Sequence, residues 1–242
     1  MSAGRASERM DSPFARRRAT APTVAASSLA LRPMTGYEEE IVEERRDDAN
    51  TAALCNELIA RCLAPPGADA TAARAQVRAL LVAERDAALV TLRRISLGDT
   101  VSSRVRCPAC RLVNEVDFRL SDLPISITAA PERIEVNVDG GVQVTLRLPT
   151  AGDQEDLLDA GIEGESQRRT FLLARTIVRF GDREGPFDVD LARGLPVAVR
   201  NALEAALEGA TPDLDLSMAV LCHGCGHGWS ALFDVPSFFL PR

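Results

Sequence analysis

The sequence predicts an α+β fold: a helical N-terminal part followed by antiparallel β hairpins. Three observations predict it. Apolar residues recur at three- and four-residue spacing between about positions 54 and 95, as on Leu54, Cys55, Leu58, Ile59 and Cys62. They then alternate with polar residues in Ile134, Val136 and Val138, turn at Asp139-Gly140-Gly141, and return as Val142, Val144, Leu146 and Leu148. Finally, two Cys-x-x-Cys pairs, Cys107/Cys110 and Cys222/Cys225, each sit between strand-like runs.

Residues 1–33 read as a disordered Arg/Ala/Ser-rich leader without apolar periodicity. Arg5, Arg9, Arg16, Arg17, Arg18 and Arg32 stand against Glu8 and Asp11, a net +4, so the remainder carries −11 of the total −7. The leader lacks the apolar centre of a secretory signal, and no run is long and apolar enough to span a bilayer. A cytoplasmic protein with no membrane partner is expected.

Residues 34–98 are expected to form a helical hairpin. Thr35-Gly36-Tyr37-Glu38 has capping-box spacing, and Glu38, Glu39 and Glu40 put negative charge at the positive end of a helix dipole. One helix runs from there to the Pro65-Pro66-Gly67 break. A second spans about Thr71 to Ile95, with Val77, Leu80, Leu81, Ala88, Leu92 and Ile95 as its stripe. Cys55 and Cys62, two turns apart on the first stripe, read as core thiols.

Residues 99–242 read as a β domain with a helical insertion over about 150–210. Val101–Arg106 enters the first cysteine pair and Val113–Leu120 leaves it. Asp213–Leu221 enters the second, and Trp229–Phe233 follows. Between them the pattern gives a helix over Asp153–Ala160, another over Ser166–Phe180, a loop over Gly181–Pro186 and a helix over Leu195–Leu207. A short apolar end, Val235 to Leu240, closes the chain.

A Cys-x-x-Cys turn that runs back into a strand aims both thiolates at one point. Two such turns supply the four sulfurs that a closed, tetrahedral zinc site takes. Cys107, Cys110, Cys222 and Cys225 are therefore the expected ligands of one structural Zn2+ per chain, in a zinc ribbon split by a long insertion. A thioredoxin-type redox pair would open a helix within a βαβ pattern, and a disulfide suits an oxidising compartment; neither matches this context. His223 and His227 lie beside the second pair and are expected to be neighbours, since four cysteines fill the shell.

Nothing in the sequence points to catalysis. There is no Gly-rich phosphate loop and no nucleophile elbow, and both histidines flank a cysteine pair. Asp153, Glu155 and Asp156 read as the charged first turn of a helix, and no catalytic or cofactor-binding residue is expected. The acidic pI of about 5.0 and an aromatic content of 4% argue against a nucleic-acid partner. A nucleic-acid-binding or transcription-related zinc ribbon is the alternative reading, supported only by the arginine-rich leader.

Several runs together resemble a known family. They are Leu31-Arg32-Pro33-Met34-Thr35-Gly36-Tyr37-Glu38-Glu39-Glu40, Ile95-Ser96-Leu97-Gly98-Asp99, Cys107-Pro108-Ala109-Cys110, Phe118-Arg119-Leu120-Ser121-Asp122-Leu123 and Leu146-Arg147-Leu148-Pro149-Thr150. A closing knuckle with Trp229 and Phe233-Asp234-Val235 completes the set. The chain resembles, over about residues 31–240, the small baseplate proteins of contractile phage tails and related injection systems, a family likened to the T-even phage baseplate hub assembly chaperone. The resemblance implies a non-enzymatic structural or assembly protein working beside baseplate hub, spike or tube proteins, and incorporation into the assembled particle. Arg111 departs from the pattern, because a knuckle more often has Gly there.

Overall fold

The computed structural model describes residues 23–24, 29–123, 127–138, 140–212, 214 and 217–232. The Arg16-Arg17-Arg18 run and the closing Val235–Leu240 segment lie outside the described residues. The elements are helical and antiparallel throughout, an α+β fold.

The first layer is helical: α1 (Gly36–Glu44), α2 (Thr51–Leu63), α3 (Thr71–Ala79) and α4 (Val82–Leu97). Leu54, Leu58, Ile59, Val77, Leu89 and Leu92 are almost fully buried where these helices meet. Each such side chain contributes about 1.5–3 kcal/mol by leaving water. Cys55 and Cys62 are buried in the same core. Burial pushes the Cys62 thiol up to about 12, so it is a packing residue and not a nucleophile.

Each of the two long helices expected here is broken in two. The first stops at Glu44, and α2 restarts with Asn50 as cap, its Oδ1 accepting from the Ala53 N–H at 2.9 Å. The second breaks at Leu80-Leu81, where ψ swings to 148° and 152°. No Pro or Gly causes this. The Leu80 carbonyl accepts from the Ala151 N–H at 2.8 Å and Leu81 bridges Thr150, so a distant segment takes the backbone groups that a continuous helix would use.

The leader was expected to reach Pro33, but the packed body starts earlier. Leu29 and Leu31 lie against the helical core, and Arg32 grips Glu38 at 2.9 and 3.0 Å. Glu38 is 1% exposed and also accepts the Thr35 N–H and hydroxyl, each at 2.9 Å. Burial works to raise this carboxyl, but the Arg32 guanidinium and the Thr35 donors prevail and hold it at about 2. β1 (Thr23–Val24) pairs antiparallel with β4 (Ile127–Thr128).

The second layer is a four-stranded antiparallel sheet in the order β5 (Ile134–Val138), β6 (Val142–Leu146), β7 (Ile177–Phe180), β8 (Arg183–Glu184). Across it pack α6 (Glu165–Thr176), α7 (Val189–Gly194) and α8 (Val197–Ala210), around Val144, Leu146, Leu173, Ala192 and Leu203. The sequence extended α6 to Phe180; residues 177–180 are instead a strand against β6. The run Ile177-Val178-Arg179-Phe180 is β-branched or aromatic at three of four places, and its inward residue Ile177 fits either period. The expected Gly181–Pro186 loop contains β8, and the expected Leu195–Leu207 helix is α8, preceded by the short α7.

α5 (Ala151–Asp159) joins the two layers. Its Asp153 and Glu155, read from the sequence as the charged first turn of a helix, are 1% and 2% exposed. Asp153 pairs with Arg147 at 2.6 and 3.0 Å and with Arg175 at 3.0 Å. Glu155 pairs with Arg74 and Arg78, each at 2.7 Å, and accepts from Asn56 at 2.8 Å. Asp156 meets Arg78 at 2.6 Å, and also Arg175. Arg74 and Arg78 come from the helical layer and Arg147 and Arg175 from the sheet layer, so the carboxylates of one short helix tie both. No described helix is long and apolar enough to cross a membrane.

Candidate metal centre

Two hairpins project from the helical layer. β2 (Thr100–Arg106) pairs with β3 (Val113–Arg119) over seven residues, and β9 (Ser217–Leu221) with β10 (Gly228–Leu232) over five. Their inward residues Val101, Phe118 and Met218 reach the helical core. The expected strand over Asp213–Leu221 is observed from Ser217, with Asp213, Asp215 and Leu216 outside the described residues.

The tips are built alike. In the first, the Cys107 N–H donates to the Leu112 carbonyl at 2.8 Å and the Arg111 N–H to the Cys107 carbonyl at 3.0 Å. In the second, the Cys222 N–H donates to the His227 carbonyl at 2.9 Å and the Gly226 N–H to the Cys222 carbonyl at 3.0 Å. The turn demands a left-handed residue at its fifth position. Gly226 supplies it with φ 70°, and Arg111 adopts it with φ 65° as the only non-glycine with positive φ among the described residues. Gly226→Ala should therefore destabilise the protein by about 1 kcal/mol. Arg111→Gly should stay within about 0.5 kcal/mol of the parent, relieved strain offsetting lost chain stiffness. Denaturant midpoints of the two variants check this.

Residues 112 and 118 positions apart meet at the tips. Cys107 Sγ lies 3.8 Å from Cys225 Sγ, and Cys110 Sγ 3.5 Å from Cys222 Sγ. All four sulfurs fall within 4.8 Å of one another. A tetrahedron with sulfurs about 2.3 Å from its centre has edges of about 3.8 Å, so the set can hold a metal ion. These sulfur separations are far beyond a disulfide bond of about 2.05 Å, and all six cysteines are free. Cys107 and Cys222 are buried, while Cys110 and Cys225 face solvent.

The electrostatics favour a cation. The Cys222 thiol is pulled down to about 6, chiefly by the Cys225 backbone N–H, with that of Gly224 assisting. The Leu112 N–H acts to lower the Cys110 thiol as well, yet hydrogen bonds with Cys222, Cys225 and Cys107 outweigh it and push Cys110 up to about 12. The hydrogen bond between Cys110 and Cys222 thus acts in opposite directions on the two thiols. His223 and His227 are exposed and stand outside the sulfur cluster; the His227 ring stacks on Trp229 with centroids 6.2 Å apart.

Asn114 is a residue that sequence reasoning missed. It is 2% exposed, its Nδ2 donates to the Leu112 carbonyl at 3.1 Å, and its Oδ1 accepts from the His223 N–H at 3.0 Å. One side-chain amide thus bridges the two tips. The available signal was register: Asn114 shares its strand face with Val116 and Phe118, a polar residue at an inward position.

Comparison with curated proteins and with solved structures found no match. Among protein-family models, that of the T4 bacteriophage base plate protein matches residues 20–240, covering the helical layer, the sheet layer and both cysteine hairpins. On that match over nearly its whole length, the chain belongs to the T4 bacteriophage base plate protein family.

Proposed function

We propose that the protein is a non-enzymatic structural or assembly, chaperone-like component of a phage-tail-like contractile baseplate. In this reading its fold is clamped by one structural Zn2+ on Cys107, Cys110, Cys222 and Cys225, and it binds hub, spike or tube proteins. We also propose the three-part division into a leader, a helical part and a split ribbon carrying a helical insertion. The family gives the setting. The observation that carries the clamp is the meeting of two hairpin tips, from opposite ends of a long insertion, in one four-sulfur cluster bridged by Asn114. An all-thiolate tetrahedral set selects a borderline-soft ion such as zinc over hard cations that prefer oxygen.

A structural metal acts through the fold. As chelator is added, co-purification with a hub, spike or tube protein should fall in step with the circular dichroism of the folded state. Activity lost from a body that stays folded would instead indicate a catalytic metal and overturn the proposal. Mass spectrometry of assembled particles distinguishes a retained subunit from a chaperone that leaves.

A further inference from the structure

The four sulfurs are not equally open to solvent. Cys110 and Cys225 are exposed, whereas Cys107 and Cys222 are buried. The contacts between the tips couple one of each kind. Exposed Cys110 lies 3.5 Å from buried Cys222, and exposed Cys225 lies 3.8 Å from buried Cys107. A solvent-facing cysteine beside a second cysteine is the arrangement in which an oxidised sulfur is resolved as a disulfide. Each pair has to close by under about 2 Å to reach a bond of about 2.05 Å. Other contacts hold the tips together for that closure. Asn114 bridges them through the Leu112 carbonyl at 3.1 Å and the His223 N–H at 3.0 Å. Gly224 lies so near the first tip that a Cβ on it would stand 2.7 Å from Leu112 Cδ2. Neither contact uses a sulfur or an ion.

We infer that the cluster is a peroxide-responsive latch, in which the disulfides Cys110–Cys222 and Cys107–Cys225 replace the metal and keep the tips joined. The inference rests on the metal clamp proposed above. Metal-bound cysteines are thiolates. Exposed Cys110 Sγ attacks one oxygen of hydrogen peroxide: an S–O bond forms, the O–O bond breaks and hydroxide leaves. Cys222 Sγ then attacks the oxidised sulfur: the S–S bond forms, the S–O bond breaks and a second hydroxide leaves. Two electrons have passed from two thiolates to one peroxide. Cys225 and Cys107 repeat these steps with a second peroxide. The thiolate, not the disulfide, is the metal ligand, so the ion departs as Zn2+. Chelation and oxidation therefore have opposite consequences: chelation frees the tips, and oxidation fastens them covalently. Cys55 and Cys62, buried in the helical core, stay reduced.

The test adds hydrogen peroxide to the metal-loaded full chain. A chromogenic chelator in excess reports free zinc, and tandem mass spectrometry of proteolytic fragments locates the disulfides. One equivalent of zinc should be released per chain, with Cys110 joined to Cys222, Cys107 to Cys225, and Cys55 and Cys62 reduced. Circular dichroism should stay at the level of the untreated protein until a reductant is added, and should then fall because neither metal nor disulfide remains. A chain that carries no zinc before peroxide is added overturns the clamp, and the latch with it. Three results overturn the latch alone: zinc bound at the start and retained in peroxide, any other pairing of the four cysteines, or circular dichroism lost together with the zinc.

Discussion

Cys107→Ser should remove the bound metal and destabilise the protein by more than about 5 kcal/mol, with Cys222→Ser behaving the same way. On the proposed clamp, metal binding free energy is folding free energy, on the order of 10 kcal/mol for sites of this kind. On that proposal the metal would join hairpins 112 to 118 positions apart, and its loss would release a long loop as well as four sulfurs. The buried Cys107 leaves no second sulfur to take its place among the described residues. Cys55→Ala is the contrast: its thiol lies in the helical core, so metal content should be unchanged at a cost of about 1 kcal/mol. Protons compete with the ion for the same sulfurs, so retention should weaken as pH falls. Elemental analysis with denaturant titration measures both quantities. Full metal content in both serine variants would sink the clamp.

Asp153→Ala should cost about 3 kcal/mol, near the lower end for breaking a buried ion pair because both arginine partners are partly exposed. The carboxylate lost is 1% exposed, pairs with Arg147 and Arg175, and accepts the Thr150 N–H at 2.9 Å at the start of α5. Asp156→Ala, at a position 28% exposed, should cost about 1 kcal/mol. Acid should act on the same contacts. Burial works to raise the Asp153 and Glu155 carboxyls, but their arginine partners, with Asn56 and Thr150, hold both below the usual carboxylate range. A carboxyl depressed in the folded state stabilises it above the unfolded value of about 4, and that contribution is lost as pH falls through the folded value. Stability should therefore decline below about pH 4, and Glu38 should add to the loss as pH approaches 2. Asp153→Asn should flatten the decline. A variant as stable as the parent, with an unchanged acid limb, would show that α5 does not clamp the layers.

The sequence by itself determined whatever depends on near neighbours along the chain. The spacing of Cys107 with Cys110 and of Cys222 with Cys225 gave two turns of one kind, and flanking alternation gave each its strands. The three- and four-residue stripe through Leu54, Leu58 and Ile59 marked the helical core, and Asp139-Gly140-Gly141 marked the β5–β6 hairpin. Only the tertiary structure decided what depends on groups brought from far away. Leu80-Leu81 has helical propensity and breaks because Thr150 and Ala151 claim its backbone. Ile177–Phe180 leaves its helix because β6 offers a ladder. Asp153 and Glu155, solvated by any local rule, are buried because four arginines from two layers converge on them. Asn114 was legible only as a polar residue on an inward register until His223, 109 positions away, supplied its partner. Local pattern reports which groups want partners; a charge or an amide is buried only where the fold delivers one, and that delivery is not written in neighbouring residues.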